Sequence, residues 1–114
     1  MAEVLNAAEL VAYAEGSVVS RTLINRDTGS VTAFSFAKGE GLSEHSAPFD
    51  ALVHVLDGEA EIRVGGVEHR VKAGQMILMP AGVPHALKAV ERFKMTLFLA
   101  RASSTPSPIV APKG

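Results

Sequence analysis

Apolar and polar residues alternate with a period of two along most of the chain, a pattern typical of β-strands that pack one face on a core. The N-terminal region differs. Asn6 and Glu9 form a capping pair ahead of a short apolar stripe, and Gly16 follows as a stop signal. We therefore predict one brief helix, over residues 7–14, ahead of an otherwise all-β domain.

The strand pattern repeats at short intervals, and the turns between strands are marked by glycine. Asp57-Gly58 and Gly65-Gly66 both favour tight hairpin turns, which predicts a meander of three antiparallel strands around them. The close spacing indicates an all-β sandwich or barrel and leaves no room for crossover helices. The predicted strands are Val18–Ile24, Val31–Ala37, Ala51–Leu56, Glu59–Val64, Val67–Lys72, Met76–Met79, His85–Val90 and Phe93–Ala100.

The strand that begins at Ala51 is apolar on both faces, since Leu52 and Val53 are adjacent in it. A half-exposed antiparallel strand would alternate with polar residues, so a second surface has to cover its outer face. We predict that a homodimer partner supplies that cover. Residues 1–102 are expected to form one domain, and residues 103–114 a tail rich in Ser, Thr and Pro.

Composition narrows the range of partners. Eleven Lys and Arg against 12 Asp and Glu give a net charge of −1, which offers no field to attract nucleic acid or an anionic membrane. The chain has no cysteine, and its N-terminus lacks the pattern of a secretory signal. We therefore expect a soluble, cytoplasmic protein that binds neither nucleic acid nor membrane.

Two histidines follow strand-like runs that each begin at a glycine. Gly39 precedes His45 by six residues, and Gly74 begins the run that leads through Pro80 to His85. Two imidazoles brought together inside a small β-barrel would form a pocket for a polar ligand or a metal ion. We predict that His45 and His85 converge in this way.

These runs resemble the two conserved motifs of the cupin superfamily. In the first motif, Gly39, His45 and Gly58 match, whereas Ala47 stands where a second histidine belongs and Ala51 where a glutamate belongs. The resemblance implies a double-stranded β-helix, or jelly-roll, barrel.

The second motif matches at four positions and departs at one. Gly74, Pro80, Gly82 and His85 are in order, and Ala89 replaces a final asparagine. In metal-binding cupins the ligands are the two histidines and the glutamate of the first motif and the histidine of the second. The resemblance therefore leaves only His45 and His85 as metal ligands, and implies either no cofactor or a weakly bound divalent transition metal.

A third ligand would have to come from a neighbouring side chain. Strand alternation turns Asp50 away from the site unless a bulge at Pro48 shifts the register by one residue. Glu44 is adjacent to His45 and, by the same alternation, faces away from the site. Strand alternation turns His54 away from the interior. His69 shares a face with Val67 and Val71, and we favour a structural role for it.

The small residues at the lost ligand positions would enlarge the pocket and make it more apolar. We expect Phe49, Met79 and Phe98 to line it together with the two histidines. The first hypothesis is a protein that binds a small organic ligand without a tightly held metal. The alternatives are a metal-dependent cupin enzyme (an isomerase, epimerase, decarboxylase or dioxygenase) acting on a small polar substrate, and a structural dimer module with a vestigial pocket.

Overall fold

A computed structural model describes residues 2–101, and nearly all the regular structure in that range is β-strand. A 3-10 turn, Ala7–Glu9, comes first. The strands are β1 (Val18–Arg26), β2 (Gly29–Phe36), β3 (Gly41–His45), β4 (Phe49–Asp57), β5 (Glu59–Val64), β6 (Val67–Lys72), β7 (Met76–Met79), β8 (His85–Ala89) and β9 (Phe93–Arg101). The predicted tail, residues 103–114, lies outside the described residues.

The N-terminal helix is shorter than the sequence predicts. Only Ala7–Glu9 is helical, and the Asn6 side chain makes a long 3.4 Å hydrogen bond to Glu9 without capping the backbone. Short helices gain little from propensity alone, so tertiary contacts decide their extent. Here the following segment lies on the sheet instead, where the Ser35 hydroxyl donates a 2.8 Å hydrogen bond to the Ala12 carbonyl.

The strands form two antiparallel sheets. The five-stranded sheet has the order β1-β2-β9-β4-β7, and the four-stranded sheet the order β3-β8-β5-β6. Non-sequential neighbours in both sheets give the double-stranded β-helix, or jelly roll, so the predicted all-β fold is confirmed. Within residues 2–101, no helix is long and apolar enough to cross a membrane.

The predicted three-stranded meander is wrong in one connection. β5 and β6 do form a hairpin around Gly65-Gly66, but β4 pairs with β9 and β7 while β5 lies in the other sheet. The chain changes sheets at Asp57-Gly58. Gly58 has φ 79°, and a Cβ there would overlap the backbone carbonyl of Arg92. Glycine is therefore required because the backbone is crowded where the chain passes between the sheets, and not because it forms a hairpin turn.

One hydrophobic core fills the space between the sheets. Phe36 and Phe93 stack within it, with ring centroids 4.4 Å apart and planes within 5°. Residues paired directly across strands share a face, so alternate positions of each strand enter this core. The buried core comprises Phe36, Ala51, Val53, Val55, Ala60, Ile62, Val71, Met79, Leu87, Ala89, Phe93 and Met95.

Candidate functional site: two imidazoles at an internal cavity

His45 and His85 lie directly opposite each other on the neighbouring strands β3 and β8. A β-bulge brings them into register. Leu42 pairs with Leu87, and a regular ladder would then place Glu44 opposite His85, but one extra residue in β3 places His45 there. The bulge thus selects an imidazole over a carboxylate for the inner face.

The two rings are in contact at an angle. Their centroids are 4.4 Å apart and their planes are inclined by 66°. Only 9% of His85 is exposed, whereas His45 is open to solvent. The pair therefore places polar groups between the interior of the barrel and the surrounding water.

Backbone carbonyls fix which nitrogen of each ring carries the proton. Nδ1 of His45 is 2.8 Å from the Ser43 carbonyl oxygen, and Nδ1 of His85 is 3.2 Å from that of Val83. A carbonyl oxygen can only accept, so Nδ1–H is the donor in both rings. In the neutral imidazole this leaves the lone pair of each Nε2 available to a ligand.

Behind the two rings lies a cavity of about 80 Å³ between the sheets. Its walls are almost entirely apolar, and the imidazoles are its only titratable lining groups among the described residues. Its lining residues are Leu42, His45, Ala47, Phe49, Ala51, Val53, Met79, His85, Leu87, Met95, Leu97 and Leu99.

Hydrogen bonds join the loop before β8 to residues at and just before the start of β4. The Gly82 amide donates to the Ala47 carbonyl at 2.9 Å. The Ala81 amide donates to the Asp50 carboxylate, also at 2.9 Å. These bonds fix the loop before β8 against the start of β4, so the approach to His85 is preformed.

Four of the five residues expected at the pocket lie there. His45, His85, Phe49 and Met79 all line the cavity. Phe98 does not. It pairs with Val31 and Leu52 on the outer face of the five-stranded sheet and is 37% exposed, because even-numbered positions of β9 point away from the core.

The other candidate ligands lie away from the two imidazoles. Asp50 faces outward, as strand alternation predicts, because the register with β9 is regular from Phe49 to Val55 and no bulge turns Asp50 inward. His54 faces outward, paired with Thr96, as alternation predicts. Glu44 is exposed, and His69 is exposed on the edge strand β6.

The residues present do not fit a tightly held metal ion. Within residues 2–101, no group of three or more His, Cys, Asp or Glu side chains could hold one. Ala47 and Ala51 line the same cavity as the imidazoles, at the two positions where the resemblance places further ligands. Two imidazoles are one short of the three protein ligands that catalytic zinc normally has.

Arg101 lies beside a residue of this site, and sequence reasoning missed it. It pairs with Phe49 across β9 and β4, and its guanidinium carbon lies 5.9 Å from the centroid of that ring. The signal was present in the sequence. Inward positions of β9 alternate from Phe93 through Leu99, and the next one is Arg101.

Comparison with known proteins supports the same fold. The family model described as a cupin domain matches residues 32–100. A conserved Streptococcus pyogenes protein of unknown function is 42% identical over 91% of both chains, with a TM-score of 0.86. No match is found among curated proteins.

Two further solved structures are similar. A cupin 2 conserved barrel domain protein from Leptotrichia buccalis is 46% identical over 85% of this chain and 47% of its own, with a TM-score of 0.83. A cupin superfamily protein from Desulfitobacterium hafniense is 31% identical over 89% of this chain and 93% of its own, also with a TM-score of 0.83. With a family model that covers more than half of its length, the chain belongs to the cupin domain family.

Proposed function

We propose that the protein binds a small organic molecule in the barrel, with His45 and His85 holding its polar end and no tightly bound metal taking part. One observation carries the proposal. Two imidazoles in contact at the entrance of an apolar cavity each use Nδ1–H on a backbone carbonyl, so each offers Nε2 as an acceptor. A ligand that donates hydrogen bonds, such as an alcohol, would find both acceptors there.

The cavity limits the size of the part of the ligand that enters it. A closed apolar cavity of about 150 Å³ holds benzene, so about 80 Å³ suits an apolar group of roughly three or four heavy atoms. The polar remainder would stay at the imidazoles, where His45 is open to solvent. The binding site thus favours a short molecule with one apolar and one polar end.

The test is a fragment titration followed by NMR of the histidine rings and the methionine methyl groups. Alcohols and acids of four to six heavy atoms should shift the signals of His45, His85 and Met79 together. His45→Ala should weaken binding roughly tenfold by removing one hydrogen bond to a neutral ring. The matched control is His69→Ala, since His69 is an exposed imidazole outside the cavity lining, and its loss should leave affinity unchanged.

Filling the cavity gives an independent test that leaves both imidazoles in place. Ala51→Leu would occupy space behind the rings and should abolish binding while the His45–His85 contact persists. If no fragment moves the ring signals of the wild-type protein, the pocket is vestigial and the proposal is wrong.

We also infer a homodimer through the outer face of the five-stranded sheet. An unbroken apolar row crosses all five strands on that face, through residues paired directly with one another. Its members are Ile24, Val31, Phe98, Leu52 and Leu78, in that order across the sheet. Ile24 is 50% exposed and Leu78 37%, which is unusual for contiguous apolar residues on a monomer.

The outer face of the other sheet has the opposite character. Arg63 bonds Glu68 at 2.9 Å, and Arg70 bonds Glu59 at 3.0 Å, in cross-strand pairs typical of a solvated surface. The pKa of Arg63 is raised, chiefly by its hydrogen bond with Glu68. A second copy is the occupant that fits the apolar row, because two such rows are self-complementary about a two-fold axis near the central strand β9.

Light scattering coupled to size exclusion tests the dimer. The wild-type protein should elute as a dimer at micromolar concentration, and Phe98→Lys should convert it to a monomer. Val67→Lys, which changes a 58% exposed residue on the edge strand of the other sheet, should leave the dimer intact. A wild-type monomer would contradict the inference.

A further inference from the structure

We propose that Arg101 makes this cavity selective for anions, so that the ligand is a short-chain carboxylate whose charged end lies at the guanidinium. The inference rests on the proposed ligand site and adds its chemical class. It starts from the position of Arg101 at the last inward-facing place of β9, beside the cavity-lining residues Leu97 and Leu99.

Two contacts fix the position of Arg101 beside Phe49. Its amide donates a 2.8 Å hydrogen bond to the Thr28 carbonyl, which fixes the backbone. Its guanidinium lies 5.9 Å from the ring centroid of Phe49, within the range of a cation–π interaction. Since Phe49 itself forms part of the cavity wall, the guanidinium lies next to a residue of that wall.

The acidic residues near the mouth of the cavity face away from it. Asp50 is on the outer face of the sheet, where its carboxylate accepts a hydrogen bond from the Ala81 amide. Glu44 is exposed on the other sheet, close enough to Arg63 to contribute to the raised pKa of that guanidinium. No carboxylate among residues 2–101 forms an ion pair with Arg101, and the cavity lining contains none.

Together these positions define a ligand with three parts. An apolar group of a few atoms enters the cavity, a hydroxyl or other donor meets Nε2 of the imidazoles, and a carboxylate meets the guanidinium. Arginine presents paired N–H donors that match the two oxygens of a carboxylate. A short 2-hydroxy acid has all three parts, whereas the corresponding amide lacks only the charge.

The experiment compares such pairs directly. Lactate with lactamide, and butanoate with butanamide, are titrated into the wild-type protein while the ring signals of His45 and His85 are followed by NMR. The wild type should bind each acid at least roughly tenfold more tightly than its amide, the factor expected from one charge-assisted hydrogen bond. The preference should shrink as salt is added, because Arg101 is exposed.

Arg101→Gln should remove the preference for the acid while the affinity for the amide is retained. Arg26→Gln is the matched control, because Arg26 lies on the outer face of β1 and should leave the preference unchanged. Equal binding of acid and amide to the wild type, or a preference that survives Arg101→Gln, would overturn the role of Arg101 alone. Failure of all four probes to shift either ring would overturn the ligand site as well.

Discussion

Restoring the two missing ligand positions should convert the cavity into a metal site. Ala47 and Ala51 line the same cavity of about 80 Å³ as His45 and His85, so the variant Ala47→His/Ala51→Glu would line it with three imidazoles and a carboxylate. That set provides the protein ligands that zinc or non-haem iron requires. The wild-type pair does not, so the two proteins should differ sharply when metal is added.

The size of the effect follows from burial and mass action. Ala51 is 3% exposed, so its replacement by Glu buries a carboxyl group, either ionised or protonated, when no metal is present. The variant should therefore be less stable than wild type by about 2–3 kcal/mol. Zinc at 100 times its dissociation constant would restore about 2.7 kcal/mol. For a domain of this size that corresponds to a rise in Tm of roughly 10–20 °C.

Thermal unfolding with zinc and with a chelator is the assay, and each single variant serves as a control. Ala47→His alone should show a smaller shift than the double variant, since it adds one ligand without the carboxylate. An equal gain from zinc in the wild type and the double variant would contradict the need for the two added ligands. A double variant that folds but gains nothing from zinc would contradict the metal site itself.

Two further predictions concern parts of the fold that support the site from a distance. Tyr13 donates a 2.6 Å hydrogen bond to Asp57, and burial, followed by that bond, raises the pKa of its phenol well above the ordinary value near 10. The stabilising contribution is therefore complete below about pH 10 and is lost at higher pH. Urea unfolding at pH 7 should show Tyr13→Phe to be about 1 kcal/mol less stable, and the difference should shrink above pH 10; a constant difference would contradict this reading. Gly58→Ala should lower the free energy of unfolding by about 3 kcal/mol or more, because the added Cβ overlaps the Arg92 carbonyl. Gly66 has a similar φ but open space around it, so Gly66→Ala should lower it by about 1–2 kcal/mol. Equal losses of stability would contradict the crowding at Gly58.

The alternating pattern and the glycine spacing were enough to predict most of the fold. Strands such as Val67–Lys72 and Met76–Met79 agree with the structure because period two is a local property of the chain. The length of the helix predicted over residues 7–14 and the hairpin predicted at Asp57-Gly58 were wrong for the same reason. Both depend on tertiary contacts, of the N-terminal segment with a sheet and of Gly58 with Arg92, which local propensity does not contain.

At the candidate site, the sequence predicted that His45 and His85 converge, but it did not identify every wall residue. The structure brings His45 and His85 together through a bulge that no local signal in β3 reveals. Parity along β9 would have excluded Phe98 and identified Arg101 as an inward-facing residue, since inward positions there are odd-numbered. What parity cannot provide is the distance between strands of opposite sheets, and therefore the volume of the cavity.

The most direct test of the account is NMR of the protein with ¹⁵N-labelled histidine, read for ring tautomers and for nuclear Overhauser effects between rings. We expect both His45 and His85 to carry the neutral-state proton on Nδ1, with a clear ring-to-ring effect from centroids 4.4 Å apart. A proton on Nε2 of either ring, or the absence of any effect between them, would contradict the claim that two free acceptors converge at the cavity.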